Sequence, residues 1–148
     1  MKRFVLLGMS LFMALQISCR DGDLQKVGKS MVVVSTAIGE LQKNVIAANQ
    51  QNLLNDQVTG QILQICIRVN TAGKQADAVL RSISQLDPGS RRNLIALLVP
   101  ISQALDPMQL EFLADIRDPA TKQKIDGAFI LMRTTTSSVQ IILATSGG

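Results

Sequence analysis

Three groups of residues in this chain have types and spacings that could do chemistry. Glu111, Asp115 and Asp118 set carboxylates at helical spacing, as a divalent cation or a general acid–base pair would require. A cation needs several converging oxygens, however, and the sequence has no Asp-x-Asp-x-Asp-Gly loop, while Arg117, Lys122 and Lys124 stand close by. These carboxylates therefore read as a solvated acidic face, with Asp118 as a helix cap. Gly28-Lys29-Ser30 ends as a phosphate loop ends, but the position of the upstream glycine is Asp23 and no strand precedes it. Cys19 and Cys66 are the two thiols. Histidine is absent, which removes the imidazole base, the Ser-His-Asp and Cys-His nucleophiles and the histidine metal ligand. Tryptophan and tyrosine are absent too, and four phenylalanines make no platform for stacking bases or sugars. The expectation is a non-enzymatic protein with no catalytic, cofactor-binding or metal-ligating residues.

The 148 residues suit one domain of ordinary size. With 47% hydrophobic residues and a net charge of +4, the chain is too apolar and too weakly charged to be disordered. Lys2 and Arg3 open it with positive charge. An almost wholly apolar run follows from Phe4 to Leu15, too short to span a bilayer and of the length of a signal-peptide core. Then come Gln16-Ile17-Ser18-Cys19 and, at once, the charges Arg20, Asp21 and Asp23.

Residues 1–19 resemble the signal of a bacterial lipoprotein, in which a small residue precedes a cysteine that is lipidated and becomes the new N-terminus. Ser18 suits the position before Cys19, and Gln16 stands where that family usually has leucine. The resemblance implies a lipid attached at Cys19, residues 1–18 removed, and a chain anchored to a membrane of the cell envelope, on its periplasmic or surface side. The alternative is a soluble secreted protein, in which Cys19 could pair with Cys66. The two exclude one another, because a lipidated cysteine holds its sulfur in a thioether. Cys66 itself, within Ile62-Leu63-Gln64-Ile65-Cys66-Ile67, reads as a small buried hydrophobe. Removing 18 of 148 residues leaves 130 and takes away Lys2 and Arg3, so 13 basic groups face 11 acidic ones. No basic stripe remains to attract nucleic acid, and Arg91-Arg92 reads as a solvated first helical turn.

The rest of the chain reads as all-α: a helical hairpin with heptad-like seams, then two or three shorter helices in a small bundle. Residues 19–23 are expected to be a short tether and residues 24–146 one helical domain. Leu24, Val27, Met31, Val34, Ile38, Leu41, Val45 and Ala48 recur at alternating spacings of three and four, with Val32 and Val33 widening the face. Val58, Ile62, Ile65, Val69, Ala72, Ala76, Val79, Ile83 and Leu86 form a second seam. The hairpin is thus expected over 24–48 and 58–86, with Asn55 capping its second arm. Asp87-Pro88, Asp106-Pro107 and Asp118-Pro119 each place a capping aspartate before a proline suited to the first helical position.

Over 90–145 the expectation is a helix carrying Leu94, Leu97, Leu98 and Ile101, with Pro100 as kink or stop. A second runs from Pro107 to Arg117, burying Leu110, Phe112 or Leu113, and Ile116. A third starts at Pro119 and buries Ile125, Phe129, Met132, Val139 and Leu143. Residues 133–145 have strand-like composition but keep helical spacing. Ile83-Ser84-Gln85-Leu86-Asp87-Pro88 recurs as Ile101 to Pro107 with Ala104 inserted, which reads as shared capping more than as a repeated unit.

Two functions fit. In one, an envelope lipoprotein binds a protein partner or a second copy of itself through its seamed helices, solvated by amides such as Gln57, Gln61 and Gln64. In the other, the bundle holds a small apolar ligand, helped by the adaptable Met31, Met108 and Met132. A continuous apolar cavity would favour the ligand, and a solid core with exposed apolar surface would favour the partner.

Overall fold

The computed structural model describes residues 22–145, so the signal-like segment, Cys19 and the tail at 146–148 lie outside the described residues. Helix α1 spans Gly22–Gln50, α2 Asp56–Ser82, α3 Pro88–Ala104 and α4 Pro119–Thr145, with a 3-10 helix at Pro107–Asp115 and no strand among the described residues. Consecutive helices pack side by side, and α4 closes the ring against α1, giving a small all-α bundle. Connections of five residues at 51–55 and 83–87 make neighbouring helices antiparallel.

The first seam holds at every position: Leu24, Val27, Met31, Val34, Ile38, Leu41, Val45 and Ala48 are all buried. Helix α1 begins two residues earlier than expected, so Gly22 and Asp23 belong to it and not to a tether. Val32 and Val33 do not widen the core; they are 64% and 42% exposed, because they fall on the flank beside the buried stripe. The break after α1 is made by Asn52, whose φ of 58° ends the helix in the left-handed region. The Asn52 and Leu53 amides donate back to the Asn49 and Ala48 carbonyls, both at 2.9 Å, which is the paired closure that favours Gly or Asn at this position. The Asn49 side chain then donates to the Leu54 carbonyl and to Asp56, and the Asn55 side chain accepts from the Val58 amide at 2.8 Å, capping α2 as expected.

The second seam drifts. Leu80 is buried in place of Val79, and α2 ends at Ser82, four residues before Leu86. A straight helix turns by about 20° less per seven residues than a strict 3.5-residue repeat requires, so the buried stripe slides onto the residue four after Ala76. Ile83 is extended, and Leu86 reaches the core from the connection instead of from a helix. This also disposes of the internal repeat. Ile83 to Leu86 is irregular, whereas Ile101 to Ala104 is helical.

At each Asp-Pro pair the aspartate caps the helix that the proline begins. Asp87 accepts from the Gly89 and Ser90 amides, Asp106 from the Met108 amide and Asp118 from the Thr121 amide. The hydroxyl and amide of Ser90 hold the Asp87 carboxyl below the usual carboxylate value, and those of Thr121 do the same for Asp118. Pro100 stops nothing: α3 runs through it to Ala104, with the proline on the exposed side.

The expected fourth helix is a 3-10 helix, and it ends at Asp115 with Ile116 buried just beyond it. Pro107, Leu110, Leu113 and Ile116 recur every three residues, the repeat that places side chains above one another at three residues per turn. The extra reach serves the architecture. The 29 residues of α1 extend about 43 Å, while the 17 of α3 extend only about 26 Å. Nine 3-10 residues add about 18 Å and complete the fourth column. Lys122 ties that column to α4, donating to the Leu113 carbonyl and pairing with Asp126. Helix α4 runs unbroken through 133–145, burying Ile125, Phe129, Met132, Val139 and Leu143; with 27 residues it is not one of the shorter helices.

Two buried positions among the described residues are polar, Thr121 and Thr136. The Thr136 side chain is buried in α4, and its hydroxyl has no hydrogen-bond partner among the described residues. An unsatisfied buried hydroxyl costs free energy that a methyl group of the same shape does not. Thr136→Val should therefore raise stability by about 1 kcal/mol, read as a higher urea midpoint. A lower midpoint would show that the hydroxyl is satisfied.

Candidate interaction groove

The core is one cluster of mostly aliphatic side chains, with Phe129 among them. The void between α1 and α2, of about 240 Å³, is lined by Met31, Val34 and Ile38 but equally by Ser35, Asn70, Lys74, Asp77 and Arg81. Met31 and Met132 are spent on the core, and Met108 projects into solvent at 76% exposure.

The more extended concavity lies on the other flank of α2, where it faces α3 and the 3-10 helix. Two hollows of about 850 and 520 Å³ share Arg68, Ala104 and Gln109 and so form one groove. It follows α2 from Asp56 to Gln75, about 28 Å at the helical rise. Its floor is apolar: Ile65, Ala72, Ala104 and Phe112. Ile67 and Met108 stand exposed on opposite lips, with Val99 exposed close by in the sequence of α3. Amides line the walls, Gln57, Gln61, Gln64 and Gln75 from α2 and Gln103 and Gln109 opposite, and Arg68 sits at the middle.

The groove has a local cause. Helix α2 buries a narrow stripe and leaves Gln61, Gln64, Arg68 and Gln75 on its flank, residues that cannot be buried without partners. Opposite them, the slender 3-10 helix supplies less side-chain surface than an α-helix would. The sequence singles out Gln57, Gln61 and Gln64 but neither Gln75, Gln103 and Gln109 nor the groove they share, because the groove depends on the fourth column being 3-10. The three-residue spacing of Leu110, Leu113 and Ile116 is compatible with a 3-10 helix and, over so short a segment, with an α-helix as well.

The structure does not bring the candidate carboxylates together. At three residues per turn, Glu111 and Asp115, four apart, point about 120° away from each other. Asp118 is occupied as the cap of α4. Among the described residues no group of three or more potential ligands is placed to hold a metal ion. Gly28-Lys29-Ser30 lies within the unbroken helix α1. Arg92 is solvated as expected, whereas Arg91 is half-buried and its Nε has no partner among the described residues. Cys66 is buried and makes no disulfide among the described residues, and burial pushes its thiol up to about 11, which leaves a free thiol there protonated at neutral pH.

No protein-family model, curated protein or solved structure matches this chain. The groove is therefore read from its own chemistry.

Proposed function

We propose that this chain is a non-enzymatic envelope lipoprotein, tethered through a lipid at Cys19, whose helical bundle receives a protein partner in the groove between α2 and the α3–3-10 column. The observation that carries this reading is the groove, with its apolar floor, exposed Ile67 and Met108, and walls in which glutamines outnumber the charged Asp56, Arg68 and Asp106. Such a surface suits an amphipathic helix, whose apolar stripe would cover the floor while its polar edges met the glutamines. A second copy of the chain is one partner of this kind. The presence of Lys74, Asp77 and Arg81 in the wall of the α1–α2 void supports this reading over one in which the bundle stores an apolar ligand.

The test places a photo-crosslinking residue at Ile67 in the full chain within cells, and a second at Ile130, exposed on α4, as a control. A discrete adduct from position 67, absent from position 130 and lost on adding Met108→Glu, is the expected result. The Met108→Glu chain should keep its melting temperature, since that side chain is in solvent. Equal adducts from both positions, or an adduct indifferent to Met108→Glu, would remove the groove as the docking site.

A further inference from the structure

The charges are divided unevenly along the bundle. One end holds the start of α1, the end of α2, the 83–87 connection, the start of α3 and the end of α4. In that half, residues 22–35, 70–95 and 134–145, six basic residues, Lys26, Lys29, Lys74, Arg81, Arg91 and Arg92, meet three acidic ones, Asp23, Asp77 and Asp87. The other half of the described chain carries six basic and seven acidic residues. A net +3 at one end thus stands against −1 at the other.

The acids of the positive end are already engaged. Asp23 bonds Lys26, Asp77 bonds Arg81, and Asp87 caps α3. Lys29, Lys74, Arg91 and Arg92 make no ion pair among the described residues. The Arg91 Nε is buried, so its stem lies against the protein. Residues 134–145 of α4 carry no charge and leave Ile141 63% exposed. Cations at the same end as an exposed aliphatic residue, with the acids described there already engaged, make the composition of a surface that meets an anionic lipid interface.

We propose that this end of the bundle rests on an anionic phospholipid surface, the chain standing on Lys29, Lys74, Arg91 and Arg92 with Ile141 at the interface. The inference rests on the membrane location proposed above. Gly22, where the chain from Cys19 enters α1, lies at the same end, so tether and charge act on one face. Standing this way, the bundle holds the Asp56 end of the groove away from the membrane, open to a partner.

The chain contains no tryptophan, so an introduced one reports alone. Ser84→Trp marks the basic end and Gln51→Trp the opposite end, both at exposed positions in connections. The full chain is bound to vesicles of brominated phosphatidylcholine, with or without phosphatidylglycerol. Expected is quenching of Ser84→Trp several-fold stronger with the anionic lipid, a difference erased by high salt, and little quenching of Gln51→Trp in either vesicle. Adding Arg91→Glu and Arg92→Glu should weaken that anionic preference about tenfold or more, while Arg91→Lys with Arg92→Lys should keep it. Quenching of Ser84→Trp that ignores lipid charge, or survives the two reversals, would overturn the proposal, as would stronger quenching at Gln51→Trp. Sedimentation with neutral vesicles reports the tether separately. A chain that stays in solution there but still shows the anionic preference would sink the tether and keep the lipid-facing end.

Discussion

Val34→Asp is expected to unfold the bundle, whereas Val32→Asp, two residues away and the same change of chemistry, is expected to leave it folded. Val34 is 1% exposed in the first seam and Val32 is 64% exposed on the flank. An aspartate at position 34 would lose the burial of the valine, worth about 1.5–3 kcal/mol. It would also leave a carboxylate without a partner among aliphatic side chains, at a cost of about 3–5 kcal/mol. Together these rival the whole stability of an ordinary domain, about 5–15 kcal/mol. At position 32 the carboxylate stays in water, and the change should be within about 0.5 kcal/mol. Circular dichroism during urea unfolding separates the cases: loss of the cooperative transition for Val34→Asp, and a nearly unchanged midpoint for Val32→Asp. Similar midpoints for the two would mean that the seam is not the core.

The second large effect concerns attachment. Cys19→Ala is expected to move the chain from the membrane fraction to the soluble fraction. No helix of the described residues is long and apolar enough to cross a membrane. On the proposed reading the hold therefore comes from acyl chains, each buried CH2 contributing about 0.8 kcal/mol, and two chains making the attachment stable where one would be marginal. The basic end adds only a weak, salt-sensitive attraction, so it cannot replace the lipid. Fractionation at high salt measures this directly. A Cys19→Ala chain that stays with the membrane to the same extent would remove the tether.

The fold was largely legible because helical burial writes itself into spacing. All eight residues of the first seam are buried, and the three Asp-Pro pairs and Asn55 cap as their types require. What was not legible depended on geometry that spacing alone does not settle. Leu80 replaces Val79 because a straight helix drifts against a heptad pattern over several turns. Asn52 ends α1 through a left-handed backbone that other residues also adopt at times, so its type alone did not mark the break. The 3-10 helix is not separable from an α-helix by sequence, because Leu110, Leu113 and Ile116 fit either within so short a segment. An α-helical spacing groups Glu111 with Asp115 and gives no groove. Gln57, Gln61 and Gln64 stand out in the sequence, but Gln75, Gln103 and Gln109 and the surface all six line do not, since that surface is made by what fails to pack against it.

The most direct test of the account is the intact mass of the chain recovered from cells that export it. A species beginning at Cys19 and heavier by its acyl groups, with Cys66 still a free thiol, is the predicted result. A chain beginning at Met1, or an unacylated chain two hydrogens lighter through a Cys19–Cys66 disulfide, would contradict it.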